Sequence, residues 1–557
     1  MGSGSTVVLL LALCHAAAAS RQLLVRVTPD NPPVTVPYNL PPSDSEYSTL
    51  GWIPDLTMSE LAPADLGVDP EQVHVTHWGP GSLLFSWITG GKCSKLSLGA
   101  QVGPKVSLPQ LTAVGSWVMY GPASGQYNDA VNGTANSTAY TQTYTNTSLG
   151  EVSYASGTIH HVLVTGLEPG QTIYYVVGDP TFHAWSPEFN VTVPPMPTLD
   201  NLPIKIAIIA DLGQTVHSDA TLQHLMANNP QLVWLIGDLT YADQYITNGT
   251  YQPRWDTWGR LIEQSGAYVP WNMIAGNHEI EAILAQSGSV FTSYNARFPN
   301  PQNPSVINTT AAHATFSPLP ANYTPGANTD VNGYYSQNIA GAHIIWLNAH
   351  IAYWEGSAQY EWFTNDIASV DRTTYPWLII NIHVPFYHTY LDQYKVNEFF
   401  RELYEPIFYA HQVDLIISGH VHAYERTKPM FNYTVDECGP VQLVVGDGGN
   451  IEGAVSKFIT DQPQPAYCAD PSLFAYMWFI PTPTETPTLT LQNGQFCPTS
   501  QPDWSAYREP SFGHGILTIM NATHASWEWH RNQDAVDVVK DSATIIRDRD
   551  SQCASSR

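Results

Sequence analysis

The sequence predicts two folded parts, an all-β sandwich followed by an α/β domain with a largely parallel interior sheet. Three observations carry this. From about residue 70 to 193, apolar and polar residues alternate over short runs with no helical period, as in half-buried antiparallel strands. Pro194-Pro195-Met196-Pro197 then interrupts the chain. Beyond it, unbroken apolar runs alternate with helical segments, as in strands covered on both faces.

In chain order, residues 6–19 (Thr-Val-Val-Leu-Leu-Leu-Ala-Leu-Cys-His-Ala-Ala-Ala-Ala) read as a secretory h-region with a small-residue cleavage site, so 1–19 are assigned to a signal peptide. Residues 20–69 are Pro-rich and extended, a wrapping segment. In the sandwich, 70–197, strands are expected at 73–78, 83–88, 160–164 and 172–177, the last two flanking the turn Leu167-Glu168-Pro169-Gly170. In the α/β domain, 198–535, strands are expected at 204–209, 232–236, 269–275, 343–347, 377–382, 415–417 and 442–445. A helix should be capped at Ser218-Asp219, pack through Leu222, Leu225 and Met226, and stop at Pro230. Residues 453–510, with Pro481, Pro483 and Pro487, read as an irregular insertion, and 536–557 as a tail.

The chain has 557 residues, 21 Lys and Arg against 48 Asp and Glu, and a formal net charge of −27. So few cations argue against nucleic acid and anionic membrane as partners. No later stretch is long and apolar enough to span a bilayer. Sequons at Asn132, Asn136, Asn146, Asn190, Asn248, Asn308, Asn322, Asn432 and Asn521 imply N-linked glycans and a secreted, extracellular protein, with cell wall or vacuole as destinations. Cleavage would remove Cys14 and leave Cys93, Cys438, Cys468, Cys497 and Cys553. A disulfide is expected among Cys438, Cys468 and Cys497, and Cys553 is a candidate to bridge a homodimer.

Five short motifs end in residues that can hold a metal: Asp211-Leu212-Gly213, Gly237-Asp238-Leu239-Thr240-Tyr241, Gly276-Asn277-His278-Glu279, Asn381-Ile382-His383 and Gly419-His420-Val421-His422-Ala423-Tyr424-Glu425-Arg426. All lie at the carboxyl ends of expected strands, where α/β sheets bind ligands. The donors are the carboxylates Asp211 and Asp238, the phenol Tyr241, the amide Asn277 and the imidazoles His383, His420 and His422. His420 and His422 would share one face of an extended segment. Seven donors exceed one ion's needs, so two ions roughly 3.5–4 Å apart fit better. A phenolate favours a hard trivalent ion, and imidazole with amide a borderline divalent one.

This ordered set resembles the purple acid phosphatases of the large plant and fungal type, whose pattern is DxG, GDxxY, GNH(E/D), VxxH and GHxHxYER. Only Ile380 departs, at the first position of the fourth motif. Flanking agreement includes Tyr241-Ala242-Asp243 and Gly446-Asp447-Gly448-Gly449-Asn450. The resemblance spans roughly residues 70–535. It implies a metallophosphoesterase sandwich, two mixed sheets flanked by helices, behind a fibronectin-III-like domain. It further implies Fe(III) on Asp211, Asp238, Tyr241 and His422, with Asp238 bridging, and Zn, Fe or Mn on Asn277, His383 and His420. His278 would touch the phosphate and protonate the leaving alcohol while a hydroxide supplied by the metals attacks in line, making the protein an acid phosphatase.

One departure bears on specificity. Where plant members carry a histidine pair nine and ten residues after the fourth motif, this chain has Asp392 and Gln393. His388 is the nearby candidate for a phosphate contact. His160, His161 and His514 are read as structural, and Glu425 and Arg426 as pairing with each other or bracing the loop. Alternatives with the same metals are a phytase, a phosphodiesterase or a nucleotide pyrophosphatase. An alternative of another class is a secreted glycoprotein without catalysis.

Overall fold

A computed structural model of the chain describes residues 53, 55–57, 61, 67–90, 97–98, 114–133, 137–146, 150–245, 250–281, 290–301, 332–470, 496–547 and 553. The expected signal peptide and Cys93 lie outside them.

The N-terminal region supplies β1 (Glu71–Gly79), β2 (Ser82–Thr89) and β3 (Thr158–Val164). After the Pro-rich break come β4 (Ile204–Ile209), β5 (Leu232–Ile236) and β6 (Trp271–Ile274). A second sheet holds β7 (Tyr335–Ile339), β8 (Ala342–Leu347), β9 (Trp377–Ile382), β10 (Leu415–Ser418), β11 (Tyr424–Thr427), β12 (Val441–Val445) and β13 (Ser505–Glu509). The chain then returns to the first sheet with β14 (Gly513–Ile519), β15 (His524–Arg531) and β16 (Val539–Ile546).

The first sheet runs β16-β15-β14-β4-β5-β6-β1-β2-β3 and the second β7-β8-β9-β10-β12-β11-β13. Within them β4, β5 and β6 are parallel, as are β8, β9, β10 and β12. The apolar runs are unbroken because each central strand is covered twice. Ile206, Ile208, Trp234 and Ile236 face Ile344, Trp346, Ile379 and Ile417 of the other sheet. Trp234 and Trp346 meet edge to face at 5.7 Å. The alternate residues Ile209, Leu235, Ile380 and Ile382 pack under the helices. These are α1 (Val216–Ala227), α2 (Pro253–Gly266), α3 (Ala358–Ser369) and α4 (Glu398–Ala410).

Several expectations change. The β-sandwich forms, because β1–β3 pack on a five-stranded sheet through Phe85, Trp87, Val118, Tyr175 and Phe189. Its first sheet is nevertheless continuous with the α/β domain, since β1 pairs parallel with β6 at Thr76 and Trp271. Helix α1 starts at Val216, earlier than expected, because Thr215 is its cap and accepts from the His217 and Ser218 amides. The region read as a tail contains β16, paired to β15 along its length. The insertion contains β13. Cys468 pairs with Cys497 as expected, but Cys438 pairs with Cys553, so Cys553 is spent within the chain and does not bridge a dimer.

Candidate metal centre

Five of the seven donors stand within three residues of a strand end. Asp211 follows β4 and Asp238 follows β5 by two residues, Asn277 follows β6 by three, His383 follows β9 by one and His420 follows β10 by two. The loops themselves are paired: the Asp211, Leu212 and Gly213 amides donate to the carbonyls of Gly237, Asp238 and Leu239. Asp211, Asp238, Tyr241 and His420 all have left-handed backbones, with φ of 57, 52, 56 and 66°. Non-glycine residues hold such conformations where surrounding contacts enforce them, as functional sites do. Close approach also demands glycine. A Cβ on Gly237 would collide with His383 Nδ1, and one on Gly419 with Asp211 Oδ2.

The side chains form two adjoining sets. In the first, Tyr241 Oη lies 3.1 Å from Asp211 Oδ1 and 3.0 Å from His422 Nε2, with His422 Nε2 3.4 Å from Asp211 Oδ1. In the second, Asn277 Oδ1 lies 2.9 Å from His420 Nδ1 and 3.2 Å from His383 Nε2, which is 3.0 Å from Asp238 Oδ2. Ligand atoms of Asp238, His383 and His420 all fall within 4.8 Å of one another. Bonds of ~2.1 Å at right angles put neighbouring donors about 3 Å apart, so these spacings are those of coordination polyhedra. Tautomers agree: His383 Nδ1 donates to the Ile236 carbonyl at 2.7 Å and His422 Nδ1 to that of Gly453 at 3.2 Å, leaving each Nε2 as a lone-pair donor. Asp238 Oδ2 is buried without a hydrogen-bond partner. The residues fit two cations.

The electrostatics point the same way. Burial drives the Tyr241 phenol well above its usual value, and Asp211, Asp238 and Glu452 add to the effect. Burial and then His383 hold the His420 imidazole well below its usual value, neutral and able to ligate. Burial opposes charge on His383, but Asp238 and Asp211 lift it to about 9. Cations beside these groups would reverse the balance and expel their protons.

His278 sits over the set. Its ring lies 4.1 Å from that of Tyr241. Its Nδ1 is 2.8 and 2.9 Å from the two Asp243 oxygens, and its Nε2 is 3.7 Å from Asp238 Oδ2. Burial alone would lower its pKa, but Asp243, Asp238 and Glu452 raise it well above the ordinary value. These carboxylates favour the charged ring, and Nε2 is the nitrogen that faces the donor set. His388 is placed differently. It is buried, with Nε2 3.0 Å from the Gln393 carbonyl oxygen, and burial holds its pKa down to about 4. A neutral imidazole committed to Gln393 braces the loop that carries Asp392, in place of the expected phosphate contact.

Four further residues shape the site. Glu279 accepts from the Asp238, Leu239 and Gly276 amides, tying two motifs together. Asp243 holds His278. Glu452 places Oε1 3.9 Å from His278 Nε2 and Oε2 3.9 Å from His422 Nε2. Asp541 of β16 takes Arg426 in a two-point ion pair and accepts from the Tyr424 hydroxyl. Glu425 accepts from the Thr389 amide and hydroxyl and from Ser505. Glu425 and Arg426 thus brace the motif through separate partners rather than each other. In the sequence, Glu279 closes the third motif and Asp243 stands in the agreement flanking the second, though neither carries a signal of its role, and nothing marks Glu452 or Asp541.

Fold and site together define a metal-dependent phosphoesterase. Residues 204–424 match the family model of calcineurin-like phosphoesterases. Residues 70–193 match the purple acid phosphatase N-terminal domain, and 489–542 the iron/zinc purple acid phosphatase-like C-terminal model. The chain is 36% identical to purple acid phosphatase 15 of Arabidopsis thaliana over 98% of both chains. It is 34% identical to the Fe(3+)-Zn(2+) purple acid phosphatase 12 of the same plant, covering 86% of this chain and 84% of the other. The solved purple acid phosphatase PPD1 from yellow lupin, Lupinus luteus, shares the fold with a TM-score of 0.57 at 19% identity, over 86% of this chain and 74% of that one. The chain belongs to the purple acid phosphatase family.

Proposed function

We propose that the chain is a secreted acid phosphatase that hydrolyses phosphate monoesters at a dinuclear centre of Fe(III) with Zn, Fe or Mn. The observation that carries this is the pair of adjoining donor sets, one with the phenol and one with the amide. Asp211, Tyr241 and His422 would hold Fe(III), Asn277, His383 and His420 the divalent ion, and Asp238 both. Bound there, the ions would supply a hydroxide nucleophile at acidic to neutral pH and neutralise the phosphoryl oxygens.

The chain's own residues do the rest. Asp243 holds the proton of His278 Nδ1, so that Nε2–H is aimed at the leaving oxygen and acts as general acid. Tyr241 backs the His278 ring, and Glu279 fixes the loops of Asp238 and Gly276. Secretion is supported by the two disulfides. No described helix is long and apolar enough to cross a membrane. Asn132 and Asn521 are exposed, as glycosylation requires.

The test is metal analysis of protein from the culture medium, with rates on p-nitrophenyl phosphate and its bis-ester at acidic pH. Iron and a divalent ion in equal amounts, a strong preference for the monoester and a mass loss on deglycosylation are expected. Protein that lacks iron and is inert on both esters refutes the reading.

A further inference from the structure

Glu452 is not a donor, yet it is the carboxylate set between the two imidazoles at the mouth. Its two oxygens lie 3.9 Å from His278 Nε2 and 3.9 Å from His422 Nε2, and the side chain is 33% exposed. The atom it faces on one side is therefore the proposed proton donor to the leaving group. Its position is imposed by the backbone. The Glu452 amide donates to Asn450 Oδ1, whose amide nitrogen in turn donates to the Asp211 carbonyl. On its flanks, the Gly453 carbonyl accepts from His422 and the Ile451 carbonyl from the amide of Ile53 in the N-terminal segment. Asp243 stands behind His278 with its side chain 27% exposed. A leaving group protonated by His278 Nε2 would lie beside the Glu452 carboxylate.

We propose that Glu452 sets the charge of the leaving group this site accepts: it favours phosphomonoesters of cationic alcohols and disfavours substrates that carry further phosphates. The proposal rests on the phosphatase reading above. The phosphoryl group itself would be held by the cations that the donor sets bind, so Glu452 acts on the remainder of the molecule. A second phosphate held there would face like charge, whereas an ammonium would pair with Glu452.

The test compares three substrates on the intact metal-loaded enzyme and on Glu452→Gln: phosphoethanolamine, glycerol phosphate and ATP. In the wild type, kcat/KM for phosphoethanolamine should exceed that for ATP. Relative to the uncharged leaving group of glycerol phosphate, an alkoxide that needs the His278 proton as ethanolamine does, Glu452→Gln should lower kcat/KM for phosphoethanolamine and raise it for ATP. The ratio of the two should change by about tenfold, and Glu452→Asp should restore the order. Binding without turnover gives a second reading. The Kd of β,γ-methylene-ATP, measured by calorimetry, should tighten about tenfold in Glu452→Gln, since tenfold corresponds to ~1.4 kcal/mol. If Glu452→Gln moves all three substrates in the same proportion and leaves the analogue's Kd unchanged, Glu452 has no part in selection and the proposal falls. A wild type that hydrolyses none of the three overturns the phosphatase reading instead, and the proposal with it.

Discussion

Replacing His278 with Gln should damage the enzyme in proportion to how badly the leaving group needs a proton. The imidazole is held by Asp243 at 2.8 and 2.9 Å on Nδ1, and three carboxylates keep it charged, so one proton remains on Nε2 for transfer. General-acid help of this kind is worth roughly 10²–10⁴-fold, or about 2.7–5.4 kcal/mol of barrier at 1.36 kcal/mol per decade. An alkoxide is a strong base and leaves only with that proton, so kcat for glycerol phosphate should fall by the full factor. A nitrophenolate leaves unaided, so kcat for p-nitrophenyl phosphate should fall by about tenfold or less. Asp243→Asn keeps the ring but removes its main counter-charge. The folded-state pKa of His278 is raised, so its charged form is lost as pH climbs, and the variant should lose it earlier. The alkaline limb of the alkyl-ester profile should therefore move to lower pH. The assay is steady-state kinetics on both esters across pH, with metal content checked for each variant. Equal losses on both esters, with metals retained, would refute the assignment of His278 as the acid and leave it an anchor for Asp238 through its backbone amide.

Three further outcomes rest on the same structure. Burial raises Glu263 from 4.5 to about 7, so the native state keeps a proton that the unfolded chain has lost, and stability declines as pH rises from 4.5 to about 7. Glu263→Gln should raise the melting temperature at pH 8, by up to roughly 3 kcal/mol of stability, and leave it unchanged at pH 4. Tyr241→Phe should abolish the visible charge-transfer absorption that the family resemblance predicts for an iron–phenolate pair; persistence of the band removes Tyr241 from the ligand set. Metal uptake by the stripped protein at pH 7 should release protons, because His383 titrates at about 9 and burial keeps Tyr241 protonated. Calorimetry in buffers of different ionisation heats measures the release, and Tyr241→Phe should release fewer.

The fold was legible wherever burial leaves a simple pattern. Strands β4, β5, β8 and β9 are apolar on both faces because helices and a second sheet cover them, and a run such as Ile-Lys-Ile-Ala-Ile-Ile announces that. Strand β16 gave no such signal. Only Asp541 and Ile545 are buried in it, so its sequence reads like a surface tail. The donors were legible because five of the seven close a strand within one to three residues, and Tyr241 and His422 follow within the same motifs. Asp243 and Glu452 were not, because their roles arise from loops far apart in sequence that converge on one imidazole. The cysteine pairing is similar: Cys438 and Cys553 are 115 residues apart and meet only because β16 folds back onto the sheet.

The segment from His420 to Arg426 shows what a short motif can and cannot disclose. Two imidazoles flanking Val421 were expected to share one face of an extended segment and, by the family resemblance, to serve different ions; they stand in different donor sets, but the segment is not extended. His420 reaches Asn277 through Nδ1, and His422 reaches Tyr241 through Nε2. The chain manages this by not being extended there. His420 is left-handed, its amide is tied to Asp211 Oδ2 at 2.7 Å, and the Val421 and Ala423 amides close tight turns onto Gly419 and Val421. Such a backbone holds only if the neighbouring chain is anchored. Tyr424 and Arg426 are clasped by Asp541 from the last strand, and Glu425 by Thr389 and Ser505. The three residues Tyr424, Glu425 and Arg426 therefore belong to the metal centre as fully as its donors do, since they fix where two unlike nitrogens point.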